Sequence, residues 1–289
     1  MKVKLSFFSS YPAPIRIASF LLILALLWLP YGALIYFFIA DENQQTILAM
    51  VPLAIGFFIV IPFWSKYVHN QSQVYRHYGL EFTSRNGIEL LQGISIGLIS
   101  ILFLFSLQAI LGWVIWQQTD TFLLKIVLEG AITGLGVAVA EEVVFRGWIL
   151  DELERDYRHL IVVWTVAIIF AISHFIRPLP EVIKTSPQFL GLLLLGLICV
   201  WAKYSCRGRL GLSIGIHGGL VWGYYIVDIG NLTEYTRKVP IWLTGVNDNP
   251  LAGVIGLLCL SILALWMKLR VGNKFYIKKQ DAEGKKQSR

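Results

Sequence analysis

Ala140-Glu141-Glu142-Val143-Val144-Phe145-Arg146-Gly147 sets two adjacent carboxylates and a guanidinium inside an apolar run. Ile132 to Ala140 before it and Gly147 to Leu150 after it carry no charge. Ionisable side chains at membrane depth cost several kcal/mol each and mark function by default. The stretch therefore predicts a membrane-spanning helix with chemistry in its middle.

The rest of the chain agrees with a membrane setting. It has 289 residues, 56% of them hydrophobic and only 15% charged, against roughly a quarter charged in soluble domains. Long apolar stretches separated by short polar ones predict an all-α polytopic membrane protein, a single bundle of about eight transmembrane helices. Residues 1–289 are expected to form one integral-membrane domain, with the motif-bearing core at about 122–229 and a basic cytoplasmic tail at 270–289.

The expected spans are Ile17–Ile39 with Pro30 as a kink, Thr46–Trp64, Leu90–Ile115, Phe122–Leu150, His159–Phe175, Pro187–Trp201, Leu210–Ile229 and Leu251–Leu269. The fourth is expected to continue as helix through Asp156. Gly93 and Gly97, four apart in the third, predict close backbone approach.

The net charge of +7 lies in short loops and in the tail beyond Lys268, so it points to anionic lipid and topology control, and not to nucleic acid. Most Lys and Arg fall on the side that would hold both termini, which predicts a multi-pass protein with both ends in the cytoplasm. The three cysteines, Cys199, Cys206 and Cys259, have no paired spacing and read as small buried side chains.

Glu142 and Arg146 are four apart and share a helix face, so they can pair. Glu141 points about 100° away and cannot use that arginine equally well. One carboxylate is then held ionised while its neighbour stays free to accept a proton. A structural ion pair between helices is the alternative. Glu141 and His174 each lie roughly 24 Å along their helices from the turn at Tyr157–Arg158, so the two can face each other. Phe170, four before His174, would wall the site. His217 lies on the seventh span, followed by Gly218 and Gly219, which admit a close neighbour. A carboxylate and imidazoles converging in a wet cavity can activate water and stabilise an oxyanion. The same set, Glu141, His174 and His217, can bind a divalent metal such as zinc.

In their order and spacing, Glu141-Glu142-x-x-x-Arg146, Phe170-x-x-x-His174 and His217 resemble the three motifs of the CPBP family. These are the CAAX proteases and bacteriocin-processing (Abi) proteins related to the type II CAAX prenyl endopeptidase. The resemblance covers about Tyr78 to Leu269. It implies an eight-helix intramembrane protease whose cavity is reached from the cytoplasmic side. Glu141 would be the general base with His174 assisting, Glu142 and Arg146 would hold the site, and His217 would be the oxyanion donor. The family is described both as metalloproteases and with a metal-free glutamate mechanism, so a metal or none is implied. The implied substrate is a membrane-associated or lipid-anchored protein or peptide. Family members often carry Asn or Asp four residues after the last histidine, where this chain has Val221. That departure keeps a catalytically silent scaffold or chaperone in view. A proton- or ion-coupled transporter using both glutamates is a further alternative, without an internal repeat to support it.

Overall fold

The computed structural model describes residues 5–119 and 122–287, with side chains at all of these except 5, 42, 43 and 273–287. The tail beyond Gly272 and Lys2 and Lys4 thus lie outside the described side chains. Twelve α-helices follow in order among the described residues. The first six are α1 (Ala13–Phe38), α2 (Glu42–His69), α3 (Val74–His77), α4 (Ser84–Ile110), α5 (Leu123–Glu142) and α6 (Leu150–Glu154). The others are α7 (His159–Ser173), α8 (Leu179–Thr185), α9 (Phe189–Ser205), α10 (Gly211–Ile229), α11 (Ile241–Thr244) and α12 (Val254–Gln287).

Local chemistry sets several ends. The Asp41 carboxylate accepts the N–H of Gln44 at 2.7 Å to start α2. Asn70, left-handed at φ 56°, stops it. Thr83 caps α4 through the N–H of Asn86 at 3.3 Å. Pro30 lies inside α1, which continues through it.

Six helices are long and apolar enough to cross a membrane: Ala13–Phe38, Gln44–His69, Ser84–Ile110, Leu123–Glu154, Leu179–Ser205 and Val254–Gly272. The protein is an all-α integral membrane protein. The other two expected spans exist as helices that fall short of that measure. α7 has only 15 residues. α10 is interrupted by glycines, His217 and Asp228, and its first half, Gly211 to Gly219, is buried throughout. A helix wrapped by protein needs less hydropathy than one wrapped by lipid. The lipid-facing helices expose large apolar side chains such as Phe37 at 82% and Ile132 at 76%.

Three expectations are corrected. The third helix stops at Ile110, and Val114–Trp116 is instead a strand, β1, paired antiparallel with β2 (Thr233–Tyr235). The fourth helix changes character at Val143–Ile149, which is π-helical. It ends at Glu154 and does not reach Asp156.

α10 is the centre of the bundle and packs on α4, α5 and α9, while α7 and α12 pack on α9. The α4–α10 contact is glycine on glycine. A Cβ on Gly93 would come within 2.5 Å of the Leu212 carbonyl, and one on Gly97 within 2.5 Å of the Leu220 nitrogen. The close approach read from their spacing is present, and it lets the backbones meet where bulkier residues would hold them apart.

The α1–α2 hairpin joins the remainder mainly at α6 and the π segment. Phe20 and Phe57 pack on the buried indole of Trp148 with ring centroids at 4.4 and 5.8 Å. Beside them Glu152, 1% exposed, accepts from Arg16 Nε at 2.7 Å, Trp64 Nε1 at 2.9 Å and His69 Nε2 at 2.7 Å.

Candidate active site

Glu141 and Glu142 close α5, Arg146 lies in the π segment, Phe170 and His174 are at the end of α7, and His217 is on α10. All six meet in one place. The hairpin count that set His174 level with Glu141 is matched by a distance of 3.9 Å from His174 Nε2 to Glu141 Oε2.

Glu142 is fully buried and saturated. Its Oε1 accepts from Arg146 Nη1 at 2.8 Å and from His217 Nδ1 at 3.0 Å. Its Oε2 accepts from the Ser213 hydroxyl. Arg146, also fully buried, donates from Nη2 to the Gly196 carbonyl at 3.1 Å and lies 4.3 Å from the centroid of the Phe170 ring. Three donors and the Arg146 counter-charge offset much of the cost of keeping Glu142 out of water, while Arg146 Nε has no hydrogen-bond partner among the described residues.

Glu141 differs in every respect. Its side chain is 29% exposed, and Oε2 is shielded yet has no hydrogen-bond partner among the described residues. Two imidazoles face that oxygen, His174 Nε2 at 3.9 Å and His217 Nε2 at 3.8 Å. The tautomers follow from the far nitrogens. His174 Nδ1 sits 2.8 Å from the Phe170 carbonyl, which only accepts, so Nδ1 carries the proton. His217 Nδ1 faces the Glu142 carboxylate and carries its proton for the same reason. In neutral histidines both Nε2 atoms then present lone pairs. A carboxylate oxygen and two lone pairs around one point call for a donor there, which a water molecule can be. Phe170 walls the set, edge-on to His174 at 4.7 Å and to His217 at 5.9 Å.

The donor types also suit zinc, but the spacing does not. The group whose ligand atoms all lie within 4.8 Å of one another is Glu142, Cys199 and His217. It does not include Glu141 or His174. At that group the Arg146 guanidinium already holds the cation's place, 2.8 Å from Glu142. These residues do not fit a catalytic metal with an open coordination position.

Val221, one turn beyond His217, lines an apolar cavity of about 150 Å³ with Leu195, Leu220, Tyr224, Pro250 and Leu251. Asp228 meets the Tyr224 hydroxyl at 3.4 Å, away from the glutamates.

Sequence reasoning missed Ser213, the Gly196 carbonyl and Lys203. Ser213 was readable, because it stands four before His217 and shares its face. The Gly196 carbonyl belongs to an apolar stretch with no side-chain signal. Lys203, 6% exposed, has no motif around it and in sequence is one cation among several at the end of a span.

No curated protein and no solved structure matches the chain. The family model described as type II CAAX prenyl endopeptidase Rce1-like does match, over residues 123–223, the stretch that holds every residue of this cluster. Over that stretch the chain carries a domain similar to the CAAX-protease type of intramembrane protein.

Proposed function

We propose that the protein is an endopeptidase that hydrolyses a peptide bond of a membrane-associated or lipid-anchored substrate with a glutamate-activated water. The observation that carries this reading is Glu141 Oε2, shielded and unpartnered among the described residues, with two imidazole nitrogens at 3.8 and 3.9 Å.

The water donates one hydrogen bond to Glu141 and the other to Nε2 of His174. As its oxygen bonds to the substrate carbonyl carbon, its proton passes to Glu141. In the reacting form His217 carries a proton taken from solvent at Nε2 as well as the Nδ1–H held by Glu142; it donates the Nε2–H to the developing oxyanion and keeps that proton throughout. Glu141 then returns its proton to the leaving amine as the carbon–nitrogen bond breaks. Glu142 and Arg146 hold His217 and the end of α5 in place. No step is routed through a metal.

We place both termini in the cytoplasm. The end of the bundle with Arg16, Arg155, Lys203, Arg207 and Arg209 is richer in cations than the end with Lys125, Arg177, Lys184 and Arg237.

The test is cleavage of an internally quenched farnesylated CAAX peptide by purified protein in lipid nanodiscs. Glu141→Ala and His174→Ala are each expected to lower kcat by about 10²–10⁴-fold. A chelator is expected to leave the rate unchanged. Cleavage that survives both substitutions overturns the reading. A second reading, a silent scaffold, is favoured by Val221, whose side chain faces an apolar cavity and offers no hydrogen bond. It predicts a wild type without cleavage whose partner binding ignores Glu141.

A further inference from the structure

The π-helical turn that carries Arg146 leaves one main-chain carbonyl without its ordinary α-helical partner. In an α-helix the N–H of Leu150 would donate to the carbonyl of Arg146, four residues back. Here it turns to the carbonyls of Phe145 and Gly147. The ammonium of Lys203, reaching in from α9, donates to the Arg146 carbonyl at 2.5 Å. It donates also to the carbonyl of Tyr78 at 3.0 Å.

Tyr78 is itself docked. Its ring lies where a Cβ on Gly147 would come within 3.1 Å of it, so the segment after α3 presses on the π turn at its one bare position. The neighbouring Gly79 carbonyl accepts the N–H of Leu210 at 2.9 Å, tying the same segment to the turn between α9 and α10. Lys203 thus joins three pieces of chain at the residue whose guanidinium holds Glu142. A buried ammonium is costly to desolvate. A medium-length apolar side chain would fill the same space but leave the Arg146 carbonyl without this donor.

We propose that Lys203 is a positioning residue for the hydrolytic site: it fixes the π turn, and through it sets where Arg146 meets Glu142 and, by way of Glu142, how His217 faces Glu141. The role in turnover rests on the function proposed above. The role in fixing the turn does not, and the test separates them.

Lys203→Met and Lys203→Arg are compared with wild type in nanodiscs by amide hydrogen exchange and by cleavage of the farnesylated peptide. In the Met variant, exchange at 143–150 is expected to quicken by about tenfold while 130–139 on α5 stays as in wild type. The kcat is expected to fall by about 10- to 100-fold with KM within about twofold, because only the placement of reacting groups has changed. Arg, which keeps donors at that place, is expected to recover most of both. Unchanged exchange at 143–150 in the Met variant overturns the proposal. So does quickened exchange along all of α5 and α7, or a fold lost outright, since either makes Lys203 a general prop. If the wild type cleaves nothing while the exchange pattern appears as expected, the catalytic reading fails and Lys203 still fixes the turn.

Discussion

Of two carboxylates adjacent in sequence, Glu142 takes donors from Arg146, Ser213 and His217, and Glu141 Oε2 takes none among the described residues. That split follows from the turn angle between neighbours on a helix and was legible as soon as Arg146 was seen four residues on. It has an energetic consequence. Arg146→Met leaves a buried charge on Glu142 without its counter-charge, and about 3–5 kcal/mol of stability should be lost. The thermal midpoint of solubilised protein should fall accordingly, and adding Glu142→Gln should restore much of it. A different residue bears on rate. Val221→Asn sets an amide one turn from His217, on the face where the family often has a polar group. An increase in kcat of about tenfold is expected if that amide adds a donor to the oxyanion. A drop in kcat with an intact fold would show that Val221 is shaped for this site.

Among the elements, hydropathy found the helices because burial in lipid and helical backbone satisfaction both leave long apolar runs. It did not find the π segment. Apart from Arg146, Val143 to Ile149 is as apolar as α5, and the residues that meet the π turn there, Lys203 and Tyr78, are distant in sequence. Nor did it find the β1–β2 pair, since three-residue strands leave no periodic signal. The α4–α10 seam was half legible, from Gly93 and Gly97. Its other half is Gly215 and Gly219, which show the same four-residue spacing on α10, but the spacing does not say which helix they meet. A Cβ on Gly219 would stand 2.5 Å from the Ile94 carbonyl. Gly219→Val should therefore force the two helices apart and withdraw His217 from Glu141. Cleavage should be lost together with the monodisperse gel-filtration peak, whereas Gly136→Ala, with nothing within 4 Å, should leave both intact.

Across the whole molecule, the order of spans and the meeting of three motifs were readable, because each motif sits on its own helix and the helices are joined by short turns. The number of helices able to cross alone was not, because α7 is only 15 residues long and the first half of α10 is enclosed by its neighbours. The charge asymmetry gives a test at this scale. In a chain freed of its native cysteines, Glu234→Cys should react with a membrane-impermeant maleimide on intact cells. Arg207→Cys, at the α9–α10 turn, should react only after lysis. The reverse pattern would invert the bundle.

The N-terminal hairpin meets the rest at a bolt: Arg16, Trp64 and His69 all close on Glu152. Glu152 and Glu141 stand on one helical span, Leu123–Glu154, so the first two helices are fastened to the same rod that carries the reacting carboxylate.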